Sequence, residues 1–502
     1  MVSKLNGMRA SVFRQHAPRA RAEDDTRKVQ YAALLVGLAL GGVIAWLCAT
    51  GRPLLVIPVI VAVPAMIAFL RYPFAGVLVW LAVYPFLVKN PTSVGFYAHW
   101  TLYRLMIPAM LWLVLMSIWA KLRSPPRTKF GVPEWVMLLF LVWTVGNALV
   151  LSRDLEEAFI RLYDRVFVPF CMYWLIRLLE PTPRDVKRLV TLAFGIVLVQ
   201  SIVGLAAWFA PQFVPPEWLG AAGVRTVGTI GNPAAYSVTL IFFGLLLFQY
   251  ALSNPSLWIR LLYLSTFALA LFCVFFTFSR GSWFAGVLVC LGLLFVYPKV
   301  IFRGAFLFAL VVLLLSTSVL TGAFAFAMER LNTEHTAESR IITNAASLRM
   351  INAQPWLGWG YENYDLYNAQ FKQNVGDISG VDNINTSHNT YLTIAAELGI
   401  PALVLYLIPT LWWLMQSIAA WSRLPRSGFW SRSLLVLLWL VLLAEFTVSN
   451  FMDMIRYNLF GTVLWWMALG LIAIMVTTEV GEKDNAANRL EPRPVEMGES
   501  VR

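Results

Sequence analysis

His388 stands in the run Asn385-Thr386-Ser387-His388-Asn389-Thr390-Tyr391-Leu392, where a polar stretch gives way to an apolar one through Glu397-Leu398-Gly399-Ile400-Pro401. An imidazole titrates near neutrality, so a histidine held in place among amides can take a proton from an attacking hydroxyl. Two arginines occupy polar interruptions of otherwise apolar sequence: Arg225 within residues 211–233, and Arg280 in Phe278-Ser279-Arg280-Gly281-Ser282. Guanidinium groups grip a diphosphate bidentately and stay charged at any working pH. A diphosphate leaves without being protonated, so a base and a pair of cations suffice to transfer a group from a diphosphate to a hydroxyl. Arg161 and Arg165, one helical turn apart with Asp154 and Asp164 near, are additional candidate contacts, as are Asn389 and Tyr361. Each has a plainer alternative. A cation at a membrane boundary also snorkels to the interface or pairs locally, and a histidine there can be a satisfied interfacial side chain.

The remaining histidines fit the base less well. His16 falls in the basic N-terminal stretch, His99 in the short connection over residues 89–100, and His335 just before a helix in the long polar segment. There is no Walker loop, no Rossmann glycine pattern, no His-Glu-x-x-His and no Asp-x-Asp in the polar segments. The four cysteines, Cys48, Cys171, Cys273 and Cys290, lie inside apolar runs and show neither a disulfide framework nor metal-ligand spacing. The sequence therefore implies no metal and no cofactor, and phosphate handling rests on arginine.

These residues need a frame, and composition says what kind. The chain has 502 residues, 59% hydrophobic and only 13% charged, against about 25% charged in soluble domains. The apolar runs have the length of membrane helices rather than barrel strands. The reading is an all-α polytopic membrane protein of about 12–14 transmembrane helices. Spans are placed near residues 30–49, 53–70, 73–88, 101–120, 133–151, 158–177, 189–210, 234–252, 259–278, 283–298, 304–323, 395–417, 433–449 and 458–477. The net charge of +12 then serves topology and anionic lipid rather than nucleic acid. With both termini inside, the cytoplasmic segments hold most of the 39 Lys and Arg, including clusters over 121–129, 177–188 and 423–432. The N-terminal stretch lacks the pattern of a cleavable signal.

The expected organisation is a basic cytoplasmic tail (1–29), an N-terminal transmembrane bundle (30–323), a large extracytoplasmic loop (324–394), C-terminal transmembrane helices (395–478) and a polar, disordered cytoplasmic tail (479–502). In the loop, residues 337–355 read as a helix with Ile341, Ala345, Leu348 and Ile351 at three- and four-residue spacing, lying on the bilayer or capping the bundle. Pro355-Trp356-Leu357-Gly358-Trp359-Gly360-Tyr361 then turns the chain; its tryptophans suit either an interfacial belt or sugar stacking.

Four pieces in this order carry a family resemblance: Arg225-Thr226-Val227-Gly228-Thr229-Ile230-Gly231-Asn232-Pro233, Phe278-Ser279-Arg280-Gly281, Pro355-Trp356-Leu357-Gly358-Trp359-Gly360, and Ser387-His388-Asn389-Thr390-Tyr391-Leu392 with Glu397-Leu398-Gly399. From about Thr226 to the last span the chain resembles the O-antigen ligase and O-antigen polymerase superfamily of bacterial membrane glycosyltransferases. The resemblance implies a GT-C-like helical fold and a metal-independent, inverting transfer from a glycan on undecaprenyl diphosphate. It implies that Arg225 and Arg280 hold the diphosphate and that His388 activates the acceptor hydroxyl. Before about Val224 the likeness is one of hydrophobic architecture alone.

Two versions of that chemistry share the motifs. A ligase moves a glycan to an acceptor such as a lipid A core or a protein; a polymerase joins it to the next lipid-linked repeat. Both act at the outer face of the bacterial cytoplasmic (inner) membrane, among its lipids. The competing class is a transporter or flippase of lipid-linked glycan. It predicts ionisable residues at mid-span and similar halves, whereas the unusual charges here fall at helix ends.

Overall fold

The computed structural model describes residues 68–69, 71–87, 102–127, 130–220, 225–304, 318–332, 335–375 and 387–477. The chain divides at Tyr72 into two units. Of the first, only a short helical stretch before Tyr72 is described. The second, from Pro73, is a helical bundle. Its helices are α1 Pro73–Leu87, α2 Leu102–Trp119, α3 Val132–Leu151, α4 Leu155–Leu162, α5 Val168–Leu179, α6 Pro183–Phe209, α7 Pro233–Ser253, α8 Leu257–Phe275 and α9 Arg280–Val296. They continue with α10 Ser318–Asn332, α11 His335–Ala353, α12 Tyr364–Phe371, α13 Thr390–Leu398, α14 Ile400–Ala420, α15 Arg432–Ser449, α16 Met454–Tyr457 and α17 Leu459–Thr477.

Among the described residues, seven helices are long and apolar enough to cross a membrane: α3, α6, α7, α8, α14, α15 and α17. The helices α1, α2 and α9 are apolar but shorter. A polytopic, all-α membrane protein is what the composition required. The expected spans near 30–49 and 53–70, most of the one near 304–323, the N-terminal tail, His16, His99 and the C-terminal tail lie outside the described residues.

Burial follows position in the bundle rather than composition. The helices α7 and α17 are packed on nearly all sides, whereas α8 and α14 keep most of their apolar surface outward, as helices facing lipid do. A fully buried network ties α3, α5 and α14 together. Arg177 donates to Glu134 (3.0 Å), Tyr173 donates to the same carboxylate oxygen (2.8 Å), and Trp413 donates to the Tyr173 hydroxyl (2.9 Å). The other carboxylate oxygen of Glu134 accepts from the Gly131 amide (2.7 Å) and caps α3.

Two expectations change in detail. The span expected at 395–417 is two helices, α13 and α14, broken at Gly399. Gly399 has φ of +87°, and a Cβ there would run into the carbonyl of Trp356, so the break needs glycine. The boundary drawn at 394/395 therefore falls inside α13. The loop helix is present as α11, but only part of its expected stripe is packed: Ile351 is buried, whereas Ile341 and Leu348 are exposed, and Ser339, Ile342, Thr343, Ala346, Ser347 and Met350 are buried instead. The packed face mixes apolar residues with hydroxyls because it also bonds α12, with the Ser347 and Tyr364 hydroxyls 2.6 Å apart. Hydrophobic spacing alone cannot see such a face.

Candidate functional site

The site begins with the conformation of the Ser-His-Asn turn. The Asn389 side chain accepts from the amides of Tyr391 (3.0 Å) and Leu392 (3.1 Å), capping α13 at its N-terminus. Its amide nitrogen donates to Asn450 (3.2 Å), at the end of α15. The Ser387 hydroxyl, fully buried, accepts from the Asn389 amide (3.1 Å) and fixes the turn from the other side. His388, held between these two anchors, is half-buried. Next to it, Thr390 donates to Asp453 (3.3 Å) and accepts from the Met454 amide (2.9 Å), which joins α13 to the turn between α15 and α17. Asn389, a candidate substrate contact by sequence, thus commits its side chain to the helix cap.

Arg280 is the first residue of α9. The turn before it places Phe278, buried, at φ +45°, a conformation that bulky side chains rarely adopt and that clusters at functional sites. Its ring is held among Phe276, Ala323 and Ala327 and packs against Trp208, Trp283 and Phe326. Gly281 follows because the backbone there runs against Phe451: a Cβ would lie 2.8 Å from that residue's own Cβ. The Arg225 segment meets the same turn, since the Thr226 amide donates to the carbonyl of Phe276 (3.1 Å). Two of the loops singled out by sequence are therefore backbone neighbours, with Arg225 itself half-buried.

One residue the sequence reading passed over completes the arrangement. Arg340, on α11, lies within electrostatic reach of both Arg280 and His388. Burial lowers the Arg340 pKa first, and the positive charge of Arg280 lowers it further. Its Nε is buried and has no hydrogen-bond partner among the described residues. His388 is lowered from 6.5, by burial first and then by Arg340, against a smaller upward pull from Asp453. One carboxylate oxygen of Asp453 is itself buried with no hydrogen-bond partner among the described residues. Arg280, Arg340, His388 and Asp453 thus form one line of mutually acting charges at one end of the bundle. The sequence held a signal for Arg340: Ser339, Thr343 and Ser347 recur at helical spacing and mark the packed face of α11 beside it.

Of the remaining candidates, Arg161 lies apart, while Arg165 and Tyr361 are buried within electrostatic reach of Asp453. Arg161 is on the surface, paired with Glu157 at 3.0 Å. Arg165, in the π-helical turn Tyr163–Phe167, is buried against Glu362. Tyr361 is buried, its hydroxyl without a hydrogen-bond partner among the described residues; burial raises its pKa, and the charges of Arg165, Glu397, Asp453 and Arg456 all act on it. Trp359, half-buried, packs its ring on Tyr367 and Phe371 against the core and donates to the carbonyl of Met350 (2.9 Å). Trp356 is 73% exposed and keeps the surface role. The backbone of His335 begins α11.

The comparisons with known proteins fall on the same residues. Residues 265–407 match the family model described as O-Antigen ligase, a stretch that contains Arg280, Arg340 and His388 but not Arg225 or Asp453. No curated protein matches the chain. With its apolar helices, that match supports membership of the O-antigen ligase superfamily of membrane proteins in polysaccharide biosynthesis.

Proposed function

We propose that this protein is a membrane glycosyltransferase of O-antigen ligase type. It moves a glycan from undecaprenyl diphosphate to an acceptor hydroxyl at the outer face of the bacterial inner membrane, with both of its own termini in the cytoplasm. The observation that carries the reading is the line Arg280, Arg340, His388 and Asp453, three members of which fall inside the matched region. Adjacent cations disfavour one another unless an anion joins them, and a diphosphate is an anion of the right charge and fork geometry. Arg225, on the loop pinned beside Arg280, is the further cation for that group.

In the step itself, His388 takes the proton of the acceptor hydroxyl, and the oxygen attacks the anomeric carbon. The bond from that carbon to the diphosphate breaks, the electron pair leaves with the lipid diphosphate, and the configuration inverts. A base must be neutral to accept a proton, and a histidine lowered from 6.5 is neutral at pH 7. Asp453 steadies the imidazolium that forms, while the arginines stabilise charge gathering on the leaving diphosphate.

Transfer by purified protein from undecaprenyl-diphosphate glycan, wild type against His388→Ala, tests this. The variant is expected to bind donor as wild type does and to lose about 100- to 10,000-fold in turnover, the usual contribution of a positioned base. Loss of donor binding instead would recast His388 as a substrate contact. A ladder of product lengths would identify a polymerase, and one completed glycan on lipid A core or protein a ligase. Absence of transfer with matched donor and acceptors, joined to flipping of the lipid, would replace the enzyme by a transporter.

A further inference from the structure

The helix that presents His388 is short and anchored at both ends by different parts of the chain. At its N-terminal end, α13 is tied to the turn between α15 and α17 through Asn389–Asn450, Thr390–Asp453 and Thr390–Met454. At its C-terminal end it is tied to the turn before α12. The Trp359 and Gly360 amides donate to the carbonyls of Ala396 and Glu397, each at 2.9 Å, and the Tyr364 amide donates to the Glu397 carboxylate at 3.1 Å.

Those two anchoring turns are joined to each other by ions. Arg456 forks onto Asp365 with two 2.8 Å bonds and stands 3.9 Å from Glu362. Glu362 also pairs with Arg165, which the π-helical turn of the α4–α5 span delivers to it. The Glu362 carboxylate thus sits between two arginines, one from the turn between α4 and α5 and one from the short α16, its side chain only 10% exposed. Its backbone is in the left-handed region at φ +64°, a conformation costly for a glutamate and held by its surroundings. A strained residue that bridges two largely buried cations, in the turn bonded to the far end of the helix that presents a candidate base, is poorly explained as surface decoration. Charges buried this way are weak as net stabilisers but strong at fixing a unique arrangement.

We propose that Glu362 and Asp365 are positioning residues: together they hold Arg456 to the start of α12, with Glu362 also tied to Arg165, and so close a ring around α13 that keeps His388 at its working place. The inference rests on the reading of His388 as the base. The ring consists of Arg165, Glu362, Arg456 and Asp365 together with the hydrogen bonds at each end of α13, and Glu362 is the member shared by both arginines. Arg280 and Arg340, on α9 and α11, are not members of the ring, so donor affinity reads them separately from the placement of His388.

The test uses the full-length protein in detergent, wild type against the double variant Glu362→Gln/Asp365→Asn, since Asp365 still ties Arg456 to α12 when Glu362 alone is changed, with three readouts. Amide hydrogen exchange over residues 387–398 is expected to quicken by about tenfold or more as the local ring opens. Donor affinity should stay within about twofold, while turnover falls about 100-fold, as a displaced catalytic group commonly costs. Wild-type exchange over that segment overturns the proposal whether or not turnover changes, and so does a loss confined to donor affinity. Should the double variant fail to fold, Asp365→Asn serves, since its carboxylate is 39% exposed and it removes the two 2.8 Å bonds that tie Arg456 to α12. Unchanged exchange over 387–398 in that variant overturns the ring. Hydrogen exchange reads the ring independently of catalysis, so a wild type that transfers nothing would sink the functional reading, and the role of Glu362 and Asp365 in the reaction with it, while the exchange data still judge the ring.

Discussion

Arg340 and His388 come from different helices of the polar segment, yet the guanidinium lies close enough for its charge to push the imidazole toward its neutral form. Asp453 pulls the other way. Burial lowers the base first, and these two neighbours then move it in opposite directions.

The acid limb of kcat/KM is therefore expected below pH 6.5, since activity falls as pH drops through the pKa of a base that must be neutral. Arg340→Gln removes a positive charge that disfavours imidazolium, so the pKa rises and the limb moves to higher pH. Asp453→Asn removes a negative charge that favours imidazolium, and the limb moves lower. The pH–rate profiles of the three proteins check both signs. A common limb in all three would detach His388 from the reaction.

Arg280→Lys keeps the charge and loses the planar fork. With Arg280 at the N-terminus of α9, transfer is expected to drop about 100-fold, the scale of removing one stabilising donor. Initial rates at saturating donor are the measurement, and near-wild-type turnover would leave the grip to Arg340 and Arg225.

Incubation with EDTA is expected to leave transfer at its untreated rate, because the proposed step uses arginine for charge stabilisation. A strong loss that added Mg²⁺ or Mn²⁺ restores would assign the diphosphate to a metal ion instead.

Far from the site, Arg177→Gln would strand Glu134, which is 1% exposed. Removing one partner of a buried pair costs about 3–5 kcal/mol, so the midpoint of thermal unfolding in detergent should fall clearly. Pairing it with Glu134→Gln should recover much of the loss, since no uncompensated charge then remains. A single variant as stable as wild type would show that Glu134 is content with Tyr173 and the Gly131 amide.

Much of this was legible in the residues themselves. Apolar runs of helix length dictate membrane helices, and the described spans fall close to where those runs stand, because in lipid a backbone must satisfy its own hydrogen bonds. The polar interruptions at Arg280 and His388 were visible for the same reason: charge and amide are costly in apolar sequence and stand out against it. What the sequence left open was which polar residues meet. Arg340 lies on the flank of a helix whose packed face mixes serine and threonine with Ile342, Met350 and Ile351, so apolar spacing found Ile351 but misplaced Ile341 and Leu348. Asn389 looked like a ligand and is a helix cap; Arg165 looked like a phosphate contact and is bound to Glu362. Local pattern reports burial along one helix. Partnership between charges far apart in the chain is decided only when α9, α11, α13 and the turn after α15 come together, because Coulomb interactions depend on separation in space and are indifferent to separation in sequence.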